Sequence, residues 1–341
     1  MSESHHSERS RVSKLISVGK RLITNWMVPK ISAEILLKTK FSGTPPLYTW
    51  KEEMGTFNQR LYETWEKPFD QFQRYLIGYY SIGGDIQKEA KKKQTPINED
   101  YLSHALILLY SRSCLIGREI FTLLKNGYAD GALARWRALH EVTVTTAFIY
   151  EHGDEVAERY LKYKRVQDHR EAEIYDQYYQ DLGFDPYPEE LFDKLDQEKN
   201  ELRDEYGNPI DDKGYGWGWA AEEFSNKSAS FKQIQEEAGY DHLYPFYKYA
   251  SNTIHGGPKG TLYRIGTPST SESPLTAGPS NTGFTDPAQL TIFSLLDIAA
   301  IMVDNFPSKK RQMILFILKN SADEIILDFN WIQNHIEKQE R

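Results

Sequence analysis

The chain carries a single cysteine, Cys114, in 341 residues. That excludes an intrachain disulfide and any metal cluster built on paired thiolates, and makes a reducing, cytoplasmic setting the simplest expectation. No run of eighteen or more apolar residues occurs, so no transmembrane helix is expected. Stretches with the alternating pattern of a half-buried strand are few and short. Several catalytic signatures are also missing. There is no Gly-x-x-x-x-Gly-Lys-Ser/Thr loop, no His-Glu-x-x-His and no Gly-x-Ser-x-Gly, which disfavours P-loop nucleotide hydrolysis, zincin-type proteolysis and α/β-hydrolase chemistry. No internal repeat is visible.

What is present is a globular composition, 40% hydrophobic and 26% charged, long enough for a substantial core. The net charge of −8 is unevenly spread. Residues 1–40 hold eight Lys/Arg against three acids, which leaves −13 on the remainder. An acidic body argues against general binding of double-stranded DNA, where phosphate neutralisation dominates affinity. The head, with Val12, Leu15, Ile16, Leu22, Ile23 and Trp26 among Lys14, Lys20 and Arg21, has basic amphipathic character. Peripheral membrane contact by residues 9–40 and an organellar presequence are two readings of it. A helix packed on the domain, or a loose arm, is the simpler one.

Apolar periodicity is helical almost throughout, so the expected class is all-α or mainly α. The expected organisation is a basic N-terminal arm, 1–45, and one helical domain, 46–341. Its core bundle spans about 98–182 and 231–338, interrupted by an irregular Pro-rich and acidic insertion at about 183–230. Within it we expect a helix near 50–65, a second starting at Pro68 and ending at Gly83-Gly84, and an N-cap at Asn98 before a long apolar helix 101–125. Asn126-Gly-Tyr-Ala-Asp-Gly131 supplies the turn of a helical hairpin whose second arm, 132–150, stops near Gly153. Asp154 caps a third helix reaching about Asp181. Helices resume at 231–237 and 242–253, and a Gly/Pro/Ser/Thr-rich loop leads to two apolar helices, 287–305 and 308–335.

The segment Leu133-Ala-Arg-Trp-Arg-Ala-Leu-His-Glu-Val142 concentrates the chemistry. At 100° per residue, Leu133, Ala134, Arg137, His140, Glu141, Val144 and Phe148 share one face, so ionisable groups sit among residues expected to be buried. Buried charge is costly unless paired. Arg137 and Glu141 are i, i+4 neighbours and Arg137 and His140 i, i+3 neighbours, close enough for mutual contact. Two roles stay open: His140 as general acid or base with Arg137 or Arg135 holding an oxyanion, or an Arg137–Glu141 pair that locks helices together. A second face aligns Tyr247, Ser251 and His255 every four residues. Packed beside Arg137 and His140, they would form one polar pocket inside an apolar bundle. His255 before Gly256 also fits a helix cap.

The Arg135-Trp-Arg-Ala-Leu-His-Glu141 segment, followed by Ser251-Asn-Thr-Ile-His-Gly256, resembles an uncharacterised bacterial helical family, domain of unknown function 5677, over roughly residues 100–260. That resemblance implies a helical bundle and pairs the two segments, but implies no reaction. A weaker resemblance is to the HEPN superfamily, helical bundles that include RNA-cutting toxins and phage-defence effectors with an Arg followed four to six residues later by His. Arg135 and His140 have that spacing. Trp136 stands where that motif has a polar residue, and an unbroken helix puts Arg135 about 140° from His140. Ser251 stands where the second segment would need arginine.

The HEPN resemblance implies that His140 or His255 deprotonates a ribose 2′-hydroxyl while Arg135 or Arg137 stabilises the phosphorane, without metal or other cofactor. It also implies a homodimer and a place beside a defence-system partner protein. Tyr215, Trp217 and Trp219 would then be candidates for stacking single-stranded RNA, against the plainer reading of a tryptophan-anchored loop on the bundle. A metal centre on His140, Glu141, Asp168, His169 and His255 is disfavoured, because Glu-x-x-His pairs are absent there. Two functional expectations result: a metal-independent ribonuclease-like effector, or a non-catalytic interaction module whose Arg/His/Glu cluster is structural.

Overall fold

The computed structural model describes residues 45–93, 99–211, 216–267 and 278–339. The basic arm, Asn98 and Tyr215 lie outside them. Among the described residues, 45–60 belong to one unit and those from Leu61 onward to another; the first helix begins in the former, and the packing below is that of the latter. Eleven α-helices and three short 3-10 turns, with no strand, make up the described residues. The helices are α1 (Pro45–Lys93), α2 (Tyr101–Lys125), α3 (Ala129–His152), α4 (Asp154–Lys162), α5 (Lys164–Leu182) and α6 (Glu189–Tyr206), followed by α7 (Phe231–Glu237), α8 (Tyr244–Ile254), α9 (Pro258–Leu262), α10 (Thr285–Asn305) and α11 (Lys309–Gln339). The all-α class read from the periodicity holds.

Helix α1 is bent at Trp65 (φ −108°, ψ 15°). Pro68 has no N–H to give and its ring crowds the carbonyl four residues back, so the ladder opens there. The bend turns Trp65 inward to full burial, where it contacts Phe284 at 4.9 Å and Phe329 at 5.6 Å and donates its indole N–H to the Asn281 carbonyl at 3.0 Å. Gly83-Gly84 does not end this helix, which runs on to Lys93. Gly83 is needed for packing: a Cβ there would lie 2.5 Å from the Tyr110 ring.

The hairpin of α2 and α3 is as expected, though its first cap is Asp100, whose carboxylate accepts from Ser103 N at 2.9 Å. At the turn, Gly127 takes φ 82°, Gly127 N donates to Leu124 O and Tyr128 N to Leu123 O. This is the Schellman arrangement, which satisfies the helix's last carbonyls. Gly153, φ 80°, closes α3. Asp154 does not cap its own helix; it accepts from Leu102 N at 2.9 Å and so ties α4 to the start of α2. The expected third helix is broken at Tyr163 into α4 and α5.

The expected insertion is largely ordered helix. α6 folds back along α5, joined by His169 Nε2 to Asp196 Oδ1 at 2.6 Å and Lys199 Nζ at 3.3 Å. The stretch after it belongs to the core: Trp219, Ala220, Ala221 and Ala229 are buried with Phe148, Val156 and Ile234. Arg159, itself buried, donates to the Trp219 carbonyl at 3.1 Å and pairs with Glu223.

Helix α3 is the hub, packed by α2, α4, α7, α8 and α10. α10 is long and apolar enough to cross a membrane, alone among the described helices, but 61% of its apolar window is buried inside the bundle; its hydrophobicity is that of a core element. Its Ser294 Oγ accepts the Trp136 indole N–H at 3.1 Å. α11 is pinned to α1 by Arg311, buried to 3% exposure, which contacts Asp85 at 3.0 Å and also pairs with Glu89.

The two adjacent glycines of α1 give opposite expectations. Gly83→Ala drives a methyl into the Tyr110 ring and is expected to cost about 1–3 kcal/mol. Gly84→Ala meets nothing within 4 Å and is expected to add about 0.5–1 kcal/mol. Urea denaturation of the two variants checks both signs.

Candidate functional site

Tyr247 and Ser251 share one face of α8, as Arg137 and Glu141 share one face of α3, and the two faces meet. Arg137 Nε donates to Ser251 Oγ at 3.0 Å and its terminal nitrogen donates to the Tyr247 hydroxyl at 2.6 Å. The same nitrogen stands 3.1 Å from Glu141 Oε1. The Tyr247 hydroxyl donates in turn to Glu141 Oε1 at 2.7 Å, and Ser251 Oγ donates to the Tyr247 carbonyl at 2.8 Å. The guanidinium lies 4.7 Å from the centre of the Tyr247 ring, adding a cation–π contact. Burial, and then the Glu141 hydrogen bond, raise the Tyr247 hydroxyl far above its ordinary range, so it stays a donor.

This network sits at the rim of the core. The Arg137 and Glu141 side chains are 28% and 29% exposed, whereas the face they share with Leu133, Val144 and Phe148 predicts burial. Charged hydrogen bonds at such a rim stabilise with less desolvation cost than a sealed ion pair. Glu141 also borders a cleft of about 610 Å³, to which Arg112, Thr145, Lys164, Gln167 and Trp217 contribute.

His140 lies on the sealed side. Its ring is 0% exposed and is enclosed by Trp136 at 5.2 Å, Tyr247 at 5.7 Å, Phe231 at 5.9 Å and Tyr240 at 6.2 Å. Neither ring nitrogen has a hydrogen-bond partner, and neither has Gln235 Oε1. Burial pushes the imidazole down to about 4; the Gln235 side chain opposes the shift, and His242 and Arg137 add to it. No hydrogen bond of normal geometry joins ring and amide, yet a neutral imidazole turning one N–H toward Oε1 is the state that suits both. Gln235 is held in place by donating its amide to the Tyr240 carbonyl at 2.8 Å.

The remaining candidates do not join this group. His255 is exposed and ends α8, with its backbone N–H on the Ser251 carbonyl at 3.4 Å. Because Arg137 meets Ser251 and Glu141 meets Tyr247, the helices run antiparallel. That register sets His255 level with Leu133, about two turns from His140. Arg135 points to α2 and pairs with Glu119. Trp219 is 2% exposed, against Tyr160 at 5.2 Å and Phe148 at 5.7 Å, so it offers no stacking platform. Trp217 is half-buried on Phe231 at 5.4 Å. Asp168 pairs with Lys164, and no group of three or more His, Cys, Asp or Glu suited to a metal occurs among the described residues. Cys114 is half-buried, its thiol pushed up to about 12 by burial.

Gln235 and Tyr240 were missed in the sequence. Each acquires its role only through contacts with α3, about a hundred residues away, and nothing local marks either.

These features define an all-α bundle whose central hairpin carries a polar clamp on one side and an aromatic cage around histidine on the other. Residues 103–272 match the Family of unknown function (DUF5677), and over that stretch, which holds the clamp and the cage, the chain belongs to it. Among curated proteins and among solved structures nothing matches.

The cage has a pH consequence. Unfolded chains protonate His140 near its ordinary 6.5, while the folded ring resists protonation down to about 4. The stability contributed is therefore whole above pH 6.5 and is lost as pH falls toward 4, roughly 3 kcal/mol in all. His140→Phe is expected to show a shallower loss of stability over that window than the wild type. Urea melts at a series of pH values test this, and parallel profiles would contradict a buried neutral ring.

Proposed function

We propose that the chain is a non-catalytic helical interaction module in which Arg137, Glu141, Tyr247 and Ser251 hold α8 against α3. The carrying observation is the full burial of His140. A general base must come within hydrogen-bond reach of the proton it takes, and a ring enclosed by Trp136, Phe231, Tyr240 and Tyr247 meets no ribose. Arg137 supports the same reading, since Ser251, Tyr247 and Glu141 already engage its Nε and one terminal nitrogen. On this reading the working surfaces are exposed faces of the bundle, and the polar cluster keeps them in place.

One observation favours a second reading, a metal-independent ribonuclease-like effector of a phage-defence or toxin system. His255 is exposed, one turn beyond the serine that Arg137 holds. There His255 would take the 2′-hydroxyl proton of single-stranded RNA and Arg137 would have to leave its partners for the phosphorane.

The two readings separate in one assay. Purified full-length chain, incubated with single-stranded RNA and a chelator, is expected to cleave no more than a protein-free blank, and His255→Ala is expected to behave identically. Metal-free cleavage that vanishes in His255→Ala, with the melting temperature retained, would overturn the module reading in favour of the nuclease.

A further inference from the structure

Helix α11 leaves a stripe with an apolar patch at each end uncovered. It buries Leu318, Ala322, Ile325, Phe329, Ile332 and Ile336 against the bundle, while Met313, Phe316, Ile317, Leu327 and Trp331 are 57–67% exposed. At 100° per residue, Met313, Ile317, Leu327 and Trp331 lie within about 40° of one line, with Asn320 and Glu324 between them. The line is about 27 Å long. The exposed apolar surface thus falls in two patches, one around Met313 and Ile317 and one around Leu327 and Trp331, on either side of a polar centre; exposed apolar patches rimmed by polar residues mark an interaction face.

The order of residues along the stripe says what fits it. Met313 and Trp331 are equidistant from position 322, and so are Ile317 and Leu327, and Asn320 and Glu324. Two copies of the helix laid antiparallel, with the twofold axis at the level of position 322, set Met313 against Trp331 and Ile317 against Leu327 at both ends. Beside the axis, the Asn320 amide faces the Glu324 carboxylate, whose Oε1 already accepts from Gln71 of its own chain at 3.2 Å, and donates to the other oxygen. This is what an isologous interface demands, in which residue i meets j and j meets i. Sulfur against an aromatic ring is itself a favourable contact. Parallel pairing would instead set Glu324 against its own copy, a like-charge repulsion.

We propose that this face of α11 is a homodimer interface, occupied by the same face of a second copy running antiparallel. The proposal stands independently of whether the bundle cleaves RNA.

Sedimentation velocity of the full-length chain is expected to show a species of twice the chain mass. Ile317→Lys and Leu327→Glu are each expected to weaken association at least tenfold, with circular dichroism unchanged because both side chains are exposed. Mixing the two variants is expected to restore the dimer, since the introduced ammonium then faces the introduced carboxylate while Leu327 of one copy meets Ile317 of the other. A monomeric wild type, a dimer untouched by either substitution, or a mixture that stays monomeric would overturn the proposal. If either variant folds poorly, Ile317→Cys/Leu327→Cys reads the same register. An intermolecular disulfide that Ile317→Cys alone does not form supports it, and no such crosslink in the double variant overturns it.

Discussion

Everything in this bundle is arranged around the enclosure of α3. A helix covered by α2, α4, α7, α8 and α10 reaches water only along the side that borders the cleft at Glu141 and Thr145, and an unsatisfied buried polar group costs about 1–3 kcal/mol. Each polar residue on it is therefore settled locally. Thr143 and Thr146 return their hydroxyls to carbonyls four residues back, Trp136 uses Ser294, and Arg135 leans out to Glu119. Arg137 and Glu141 sit where α8 crosses, and the Tyr247 hydroxyl, accepting from one and donating to the other, closes the circuit. His140 is the exception: with no conventional partner, it is accommodated by losing its charge.

That asymmetry explains why three neighbouring ionisable residues have different fates. Arg137 and Glu141 lie on the side of their shared face that meets α8 at the surface, and keep their charges as a pair. His140 lies toward Phe231 and Tyr240, where a cation would have neither water nor a carboxylate partner. A wheel diagram of α3 groups them; the crossing of α7 and α8 separates them.

The elements legible in the sequence were those set by local chemistry: the Gly127 turn, the stop at Gly153, the break ahead of Pro68, and the faces pairing Arg137 with Glu141 and Tyr247 with Ser251. Their meeting could be suspected because both faces were polar in apolar helices. What was not legible depended on distant partners. Gly83-Gly84 reads as a helix stop until the Tyr110 ring is seen to require the space. Acidic, proline-containing sequence around 183–230 reads as an insertion, yet Leu202 and Trp219 anchor it in the core. Position 322 looks unremarkable until the helix is seen to bury Ala322 and expose a symmetric stripe behind it.

His140 of α3 is a sealed, neutral core residue. A side-chain NMR titration of His140 in the folded chain, assigned by comparison with His140→Phe, tests it directly. The imidazole is expected to stay neutral well below its ordinary 6.5 and to take up a proton only near 4. A His140 ring that takes up its proton near 6.5 would contradict a sealed, neutral histidine.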